Sequence, residues 1–396
     1  MVVFNIRQNA KILSTMNSIA NKKIAIIGGG PGGLTLARLL QMHGADVNVY
    51  ERDAHKDARP KGATLDLHEE SGLAALDAAG LMDEFWANYR PGADALRIAD
   101  KHATLVYDDK ETPREDTIRP EIDRGPLQNI LLESLKPGTV IWDSQFAAIQ
   151  PNGSGWDIEF KNGQKVYADI AVAADGANSK LRPYLTPIKP FYSGVTAMEG
   201  AVYLSAQNSP KIHELLNGGK IFAFGDEKSL IVSSKGDGSL VFYPGFKCAE
   251  DWVRTSGIDF ADKAQVLAWF KAEYAGWADI WQELFKNATG PFIPRSQYCM
   301  PLDQTWEAQP NLTILGDAAH LMPPYAGEGV NMAMLDALEL AQALLNENHP
   351  DTLSAIAAYE KQMRTRASET AEMTMQSTEA LHSEGAIQFL VEVIGG

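Results

Sequence analysis

The feature that most constrains the fold is a glycine-rich turn set between a short apolar run and a helical pattern. The run over 23–27 is apolar and β-branched, which is typical of a buried strand. The turn has a G-x-G-x-x-G spacing at Gly28, Gly30 and Gly33, with Pro31 inside it, and a helical pattern follows from Leu34 to Gly44. A second strand over 47–50 then ends at the acidic Glu51. This run has the size of one βαβ unit and predicts a parallel, Rossmann-like sheet.

The same turn predicts a binding site for the pyrophosphate of a dinucleotide. Gly28 permits the tight turn, Gly30 lets the backbone approach the pyrophosphate, and Gly33 lets helix and strand pack closely. The pyrophosphate would lie at the positive end of the helix, and Glu51 would accept a hydrogen bond from the ribose. A glycine-rich turn without a ligand is the alternative.

Later segments predict a smaller β domain inserted into the nucleotide-binding domain. Alternating segments between about 191 and 245, separated by glycine-rich turns, indicate an antiparallel sheet. A long helix is expected over 352–381. The predicted boundaries are a disordered leader over 1–20, a nucleotide-binding domain over 21–80, 97–190 and 285–345, a substrate domain over 81–96 and 191–284, and a helical C-terminal segment over 346–396.

Composition and charge exclude several classes of protein. Lys+Arg total 35 against 51 Asp+Glu, so the formal net charge of −16 would repel phosphate backbones, and nucleic-acid binding is not expected. Two cysteines, Cys248 and Cys299, make neither a disulfide scaffold nor a metal cluster, and reduced thiols are expected, with one disulfide as the alternative. No apolar run approaches the ~18 residues of a membrane span. We expect a cytoplasmic monomer without metal.

A second motif lies at the end of a predicted buried strand over 170–174. Asp175-Gly176 follows this strand directly, and Arg182 comes shortly after. Asp-Gly is also one of the commonest turn pairs, so a simple β-turn is the alternative.

The third motif, over 315–331, is the most specific. It places Asp317 at a strand end and then His320, two prolines and two glycines before a helix begins. The start of that helix would offer unpaired N–H groups to a flat anionic ring. Asp317 suits a ribityl hydroxyl, whereas we assign His320 a structural role, with a catalytic base as the alternative.

With these three motifs in this order, the chain resembles the FAD-dependent group A monooxygenases, the aromatic-hydroxylase family. The resemblance spans about 23–375 and is strongest to the tetracycline-inactivating monooxygenases, through the segments 26–40, 49–53, 62–68 and 314–331. It implies an α/β fold: a Rossmann-like FAD-binding domain with an inserted antiparallel β-sheet for the substrate and a long C-terminal helix.

The resemblance also implies roles for individual residues. Glu51 would hold the adenosine ribose, Arg52 the adenine side, and Arg59 would contact NADPH. Contacts to FAD are implied for Asp66, Arg124, Asp175, Asp317, Pro324, Gly327, Gly329, Val330 and Asn331. The alternatives are a routine surface charge for Arg59, and for Arg124 a capping role or a pairing with Asp123.

The chain departs from the tetracycline enzymes on the sheet that faces the flavin. Where those enzymes present an asparagine–glutamine pair, an arginine and a histidine, an ungapped comparison places Ala197, Glu199, Lys220 and Val241. Tyr325 replaces a phenylalanine, and Glu328 replaces a glutamine. The candidate substrate residues are therefore Glu199, Lys220, Phe222, Val241 and Tyr325. Because a buried site that loses polar partners discriminates strongly, tetracycline is one candidate substrate among several.

The chemistry implied by the resemblance is monooxygenation. NADPH would reduce FAD, and a flavin C4a-hydroperoxide formed with molecular oxygen would hydroxylate a phenolic or polycyclic small molecule. The cofactor carries this chemistry, so no catalytic acid or base is assigned. The alternatives are hydroxylation of a different aromatic metabolite or antibiotic, and a flavin reductase or ligand-binding flavoprotein without oxygenation. NADH in place of NADPH remains open.

Overall fold

The computed structural model describes residues 19–58, 64–109 and 119–395. Most of the predicted leader over 1–20 lies outside the described residues, and so does Arg59. Ile19 is buried in the same core as the first strand. The packed chain therefore begins before residue 21, where the sequence places the start of the first domain.

The secondary structure is mixed. The strands, in chain order, are β1 (Lys23–Ile27), β2 (Asp46–Tyr50), β3 (Thr64–Asp66), β4 (Leu96–Asp100), β5 (Leu105–Asp108), β6 (Glu121–Asp123), β7 (Val140–Ile141), β8 (Phe146–Asn152), β9 (Gly155–Phe160), β10 (Lys165–Ala168), β11 (Ile170–Ala173), β12 (Phe191–Val202), β13 (Lys220–Gly225), β14 (Lys228–Ser234), β15 (Leu240–Lys247), β16 (Ile293–Cys299) and β17 (Leu312–Ile314).

The helices surround these strands. In chain order they are α1 (Pro31–Met42), α2 (Ala74–Ala78), α3 (Met82–Asn88), α4 (Arg124–Glu133), α5 (Arg182–Leu185), α6 (Ser205–Asn208), α7 (Pro210–Leu216), α8 (Trp252–Thr255), α9 (Lys263–Glu273), α10 (Gln282–Lys286), α11 (Asp317–His320), α12 (Gly329–Leu345), α13 (Thr352–Leu381) and α14 (Ala386–Gly395). Across the described ranges, no helix is both long enough and apolar enough to cross a bilayer.

A parallel sheet, in the order β17-β11-β1-β2-β7, forms the centre of the first domain. Its strands are buried and apolar, as expected when helices cover a parallel sheet. Helices α1 and α12 pack so closely that a Cβ at Gly32 would lie only 2.7 Å from the carbonyl oxygen of Ala333. The strand–turn–helix–strand unit predicted from the glycine motif is present as β1-α1-β2.

A second, large sheet follows the order β16-β12-β15-β14-β13-β4-β5. Its neighbours are antiparallel except for β13 and β4, which run parallel. One face packs on α7, α9 and α10 through an aromatic core in which the rings of Phe270 and Phe285 stack with centroids 3.9 Å apart. The other face is turned toward the first domain.

The domain boundaries differ from those expected. Strands β4, β5 and β16 belong to the large sheet, although the sequence assigns 97–108 and 293–299 to the nucleotide-binding domain. Helix α3 buries Phe85 in the core of the first domain, although 81–96 is assigned to the substrate domain. Strand β4 pairs with β13 and β16 pairs with β12, partners far away in the sequence, and a local pattern carries no signal of such pairing.

The C-terminal segment consists mainly of the helices α13 and α14. Helix α13 starts at a capping box in which Asp351 and Ser354 bond to each other's backbone N–H groups. Helix α14 then packs Leu390 against Ile98 and Phe224 of the large sheet.

Candidate cofactor site

The glycine turn between β1 and α1 is built around two close backbone contacts. Gly28 has a φ of +116°, and a Cβ there would lie 2.2 Å from the carbonyl oxygen of Ala174. A Cβ at Gly33 would lie 2.2 Å from the carbonyl oxygen of Gly28. Both positions therefore require glycine for packing, irrespective of any ligand.

Gly30 differs from these two glycines, because no protein atom lies within 4 Å of where its Cβ would be. It is the N-cap of α1 and offers no side-chain cap, and Pro31 occupies the first turn. The first N–H groups of a helix have no partners within the helix, so this end of α1 presents open donors and a positive dipole. The turn leaves room for an anionic group where the sequence predicts a pyrophosphate.

The carboxylate of Glu51 lies beside this turn. It is buried at the end of β2, where Oε2 accepts a hydrogen bond from the N–H of Gly29 at 2.6 Å and Oε1 accepts one from Asp53 at 3.0 Å. Arg52 is exposed. Glu51 thus stands where it can reach a ribose next to the pyrophosphate position.

The second and third motifs meet through Arg182, to which the sequence analysis gives no role. This buried guanidinium donates from Nε to the carbonyl oxygen of Ala318 at 2.6 Å, and from one terminal nitrogen to the carbonyls of Asp317 at 2.9 Å and Ala177 at 3.2 Å. Asp175 accepts a hydrogen bond from the N–H of Lys180, but its other oxygen, Oδ1, is buried and without a partner in the described residues. Such an orphaned acceptor fits a site whose ligand supplies the donor.

Asp317 begins α11, and its carboxylate points toward the start of α12. Burial raises the pKa of Asp317, although the charges of His320, Arg124 and Arg182 oppose that rise. Among the described residues, no side chain or backbone N–H donates a hydrogen bond to this carboxylate. It is thus available to a hydroxyl donor on a ligand.

Arg124 is exposed at the first position of α4. Its alternative role, a pairing with Asp123, is not observed, because Asp123 lies 3.4 Å from Arg90 and accepts a hydrogen bond from the N–H of Gly236 at 2.9 Å. The guanidinium of Arg124 is near enough to act on the charge of Asp317.

His320 belongs to a buried charge network that fixes the third motif. Its Nε2 lies 2.5 Å from Oδ2 of Asp336, which also accepts from the N–H of Gly316 at 2.8 Å. Arg366 on α13 donates to Oδ1 of Asp336 at 2.6 Å and binds both oxygens of Glu339. Burial opposes protonation of His320, but Asp336 outweighs it and raises the pKa of the imidazole. The contacts support the structural role expected for His320.

The diproline bend, defined as Pro323–Gly327, leads into α12. Gly327 is left-handed with a φ of +75°, and a Cβ there would lie 3.6 Å from both carboxylate oxygens of Asp66. The side chain of Asn331 is not free for a cofactor, because it donates to the carbonyl oxygen of Asp66 at 2.9 Å and accepts from the N–H of His68 at 3.0 Å. The predicted contact between Asn331 and the cofactor would therefore be made by the backbone of this residue.

Four of the candidate substrate residues lie on one face of the large sheet. Lys220 pairs across the sheet with Ser233, Ser233 pairs with Val241, and Val241 pairs with Ala201. Residues two positions apart along a strand share a face, so Phe222 and Glu199 lie on this face as well. Tyr325 on the diproline bend joins the same cluster as Phe222. This face and the bend together define what we call the junction.

Both charged residues of this face have partners. Lys220 forms an ion pair with the buried carboxylate of Glu121 on β6. Glu199 accepts hydrogen bonds from the guanidinium of Arg295 on β16, at 2.7 and 2.5 Å. The remaining members, Phe222 and Val241, are apolar.

The ring of Tyr325 packs edge-on against His382 at the end of α13, with centroids 4.9 Å apart. Nε2 of His382 lies 3.1 Å from Oγ of Ser229, and Nδ1 lies 2.8 Å from the carbonyl oxygen of Thr378. Burial lowers the pKa of His382 to about 4. His382 follows a helix with no motif around it, so the sequence alone does not mark it as a candidate.

The lowered pKa of His382 leads us to expect a loss of stability in mild acid. Its pKa of about 4 in the folded chain lies below the ordinary value of about 6.5, so the folded state binds fewer protons. Its contribution is therefore complete above about pH 6.5 and is lost as the pH falls toward 4. Between about pH 7 and 4.5 we expect wild type to lose about 2–3 kcal/mol more unfolding free energy than His382→Gln. Urea titrations at both pH values measure this, with the exposed His43→Gln as control, and equal losses in wild type and His382→Gln would contradict it.

The described residues hold no group of three or more His, Cys, Asp or Glu side chains arranged to bind a metal ion. Two surface grooves of about 390 Å³ each lie away from the junction, one lined by 44–48 and 136–139 and the other by 302–304 and 361–369. Neither contains a residue from the three sequence motifs.

Comparison with known proteins identifies the class. The family described as FAD binding domain matches residues 21–223 and 303–374, which is more than half of the chain. The monooxygenase asqM of Emericella nidulans is 29% identical and spans 94% of this chain and 98% of that protein. The chain therefore belongs to the FAD binding domain family and is an FAD-dependent monooxygenase of the aromatic-hydroxylase type.

Solved structures agree on the fold. Klebsiella pneumoniae HpxO, solved with FAD and uric acid, is 21% identical with a TM-score of 0.74, covering 93% of each chain. The tetracycline destructase Tet(55) is 18% identical with a TM-score of 0.75, covering 95% of each chain. At these identities the likeness concerns the fold alone, and the special resemblance to tetracycline-inactivating enzymes stays a prediction.

FAD binding agrees with the residues present. The open helix start at Gly30, the orphaned Oδ1 of Asp175 and the available carboxylate of Asp317 are the donors and acceptors that pyrophosphate and ribityl groups need. Glu51 adds an acceptor beside the turn.

Proposed function

We propose that this protein hydroxylates a phenolic or polycyclic small molecule with molecular oxygen and NADPH. The observation that carries the proposal is the junction, where a sheet face whose charged side chains are ion-paired meets the bend that precedes α12. When bound, FAD supplies the oxygen-activating redox chemistry. The proposal includes a monomer located in the cytoplasm, and light scattering on the purified protein would test the monomeric state.

The residues of the chain would position the cofactor and exclude water. Asp175, Asp317 and Glu51 would hold its hydroxyl groups, and Gly30 would let α1 approach its pyrophosphate. The start of α12 at Gly329 would stabilise negative charge on the ring.

The residues on the sheet side would receive the substrate. Phe222, Val241 and Tyr325 offer apolar and aromatic surface, which favours flat rings. The charges of Lys220 and Glu199 are already balanced by Glu121 and Arg295. A tetracycline-type antibiotic is one candidate, and a different aromatic metabolite or antibiotic is the other.

An aerobic cofactor-consumption screen tests this function. Purified protein is mixed with NADPH or NADH and a panel of tetracyclines, phenols and fused-ring aromatics, and products are examined by mass spectrometry for one added oxygen atom. Substrate-stimulated consumption with an oxygenated product supports the proposal. Oxidation of NADPH without such a product would indicate a flavin reductase, and protein that binds no FAD would overturn the proposal.

Asp317→Ala is expected to weaken FAD binding by about 1–3 kcal/mol, because a buried hydrogen bond to the ribityl chain is lost. Quenching of FAD fluorescence on titration with cofactor-free protein measures the affinity. Asp303→Ala, at an exposed position, is the matched control and should bind FAD like wild type. An unchanged affinity in Asp317→Ala would remove this residue from the site.

A further inference from the structure

His68 is a buried imidazole held between two carboxylates at the edge of the junction. Its Nε2 lies 3.2 Å from Oδ2 of Asp66, and its Nδ1 lies 3.5 Å from Oε2 of Glu328. The side chain of His68 is 4% exposed, whereas those of Asp66 and Glu328 are 25% and 19% exposed. A neutral imidazole can take up a proton at one nitrogen and release one from the other.

The three residues are held in place by the start of α12. Asn331 is fully buried and bonds to the backbone of both Asp66 and His68. Glu328 is the N-cap residue of the same helix. Because Gly327 lies against the carboxylate of Asp66, the row of three groups ends at the diproline bend.

The surrounding charges make the pKa values of the two carboxylates at the ends of this row differ. Burial works to raise the pKa of Asp66, but its bond to His68 and the charge of Lys220 hold it below the ordinary value. Burial raises the pKa of Glu328, and the charges of His68 and Arg119 oppose this rise. The charged groups that act on this row are Asp66, His68, Glu70, Arg119, Lys220 and Glu328. At rest, Glu328 therefore holds a proton more readily than Asp66, and the carboxylate of Asp66 stays unprotonated.

We propose that Glu328, His68 and Asp66 form a proton relay from solvent to the junction. A proton from water binds the carboxylate of Glu328, Nδ1 of His68 accepts it, and Nε2 passes its own proton to Asp66; no electrons move. Hydroxylation with oxygen and NADPH consumes one proton per turnover, as substrate, O2, NADPH and H⁺ give hydroxylated substrate, NADP⁺ and water. The relay rests on the proposed function, because that proton demand defines its purpose.

Proton uptake measured apart from turnover tests the relay. FAD-loaded protein is first reduced with one equivalent of NADPH without oxygen, a hydride transfer that takes up no proton, and is then mixed with oxygen in weakly buffered solution. A pH-indicator dye is followed beside flavin absorbance, because anionic reduced flavin, O2 and H⁺ give oxidised flavin and H2O2. In wild type, proton uptake should accompany flavin reoxidation. In His68→Asn and Glu328→Gln it should lag by about 100-fold, a typical loss for a missing proton-transfer group. Glu70→Gln, an exposed carboxylate nearby, is the control and should match wild type. Uptake in His68→Asn at the wild-type rate would overturn the relay.

A second measurement does not depend on the bound flavin. Proton NMR on the full-length, cofactor-free chain follows how fast the ring N–H proton of His68 exchanges with water in wild type and Glu328→Gln. Removing the carboxylate that would carry protons to Nδ1 should slow that exchange by about 100-fold, and Glu70→Gln should leave it near the wild-type rate. A His68 exchange rate unaffected by Glu328→Gln would overturn the relay even if FAD binding were intact, whereas absence of FAD binding would instead contradict the proposed function.

Discussion

Replacing Asp336 with alanine is expected to lower the free energy of unfolding by about 3–5 kcal/mol, the usual cost of breaking a buried ion pair by removing one partner. Asp336 is completely buried and is shared by three donors: His320, Arg366 and the N–H of Gly316. Alanine would leave all three without this acceptor in a medium that solvates charge poorly.

Urea unfolding of the cofactor-free protein near neutral pH measures this loss. Glu347→Ala, at an exposed position just beyond α12, is the control and should change stability by less than about 0.5 kcal/mol. Because Gly316 directly precedes Asp317, we also expect Asp336→Ala to bind FAD more weakly. A stability change below about 1 kcal/mol would show that the network is not a main support of this turn.

The first βαβ unit was predictable from sequence because every signal for it is local. The apolar run, the glycine spacing and the helical periodicity lie within one stretch, and they correspond to β1, α1 and β2. Even there, the motif alone does not show which glycines are required by contacts inside the protein and which are not. Gly28 and Gly33 are required by contacts inside the protein, whereas Gly30 faces open space.

The supports of the site were not predictable, because their partners are far apart in sequence. Arg366 lies in the middle of a long helix, where a charge usually indicates a solvated face. It instead crosses to Asp336 and Glu339 on the preceding helix. The role proposed for His68 likewise depends on its contact with Glu328, which lies more than two hundred residues later in the sequence.

The electrostatics of the substrate face depend on similar long-range partners. Sequence comparison places Lys220 and Glu199 on this face and gives no information about the partners of their charges. Glu121 comes from a short strand of another sheet, and Arg295 from an edge strand that the sequence assigns to the other domain. The charge that a substrate would meet therefore depends on both ion pairs, and not on Lys220 and Glu199 alone.

Gly30→Ala and Gly33→Ala form a pair that separates cofactor binding from folding. A methyl group at residue 30 meets no protein atom, and its φ of −75° suits alanine, so cofactor-free stability should change by less than about 1 kcal/mol. The same methyl would occupy the space that the pyrophosphate needs. We expect the FAD dissociation constant to rise about 100-fold, or roughly 3 kcal/mol.

Gly33→Ala should show a different defect. Its methyl would collide with the carbonyl oxygen of Gly28 and push α1 from β1, so cofactor-free stability should fall by about 1–3 kcal/mol. Thermal unfolding and FAD fluorescence titration on both variants distinguish the two effects. If Gly30→Ala bound FAD as tightly as wild type, the pyrophosphate would have to lie elsewhere, because no ligand can approach that backbone closely past a methyl group.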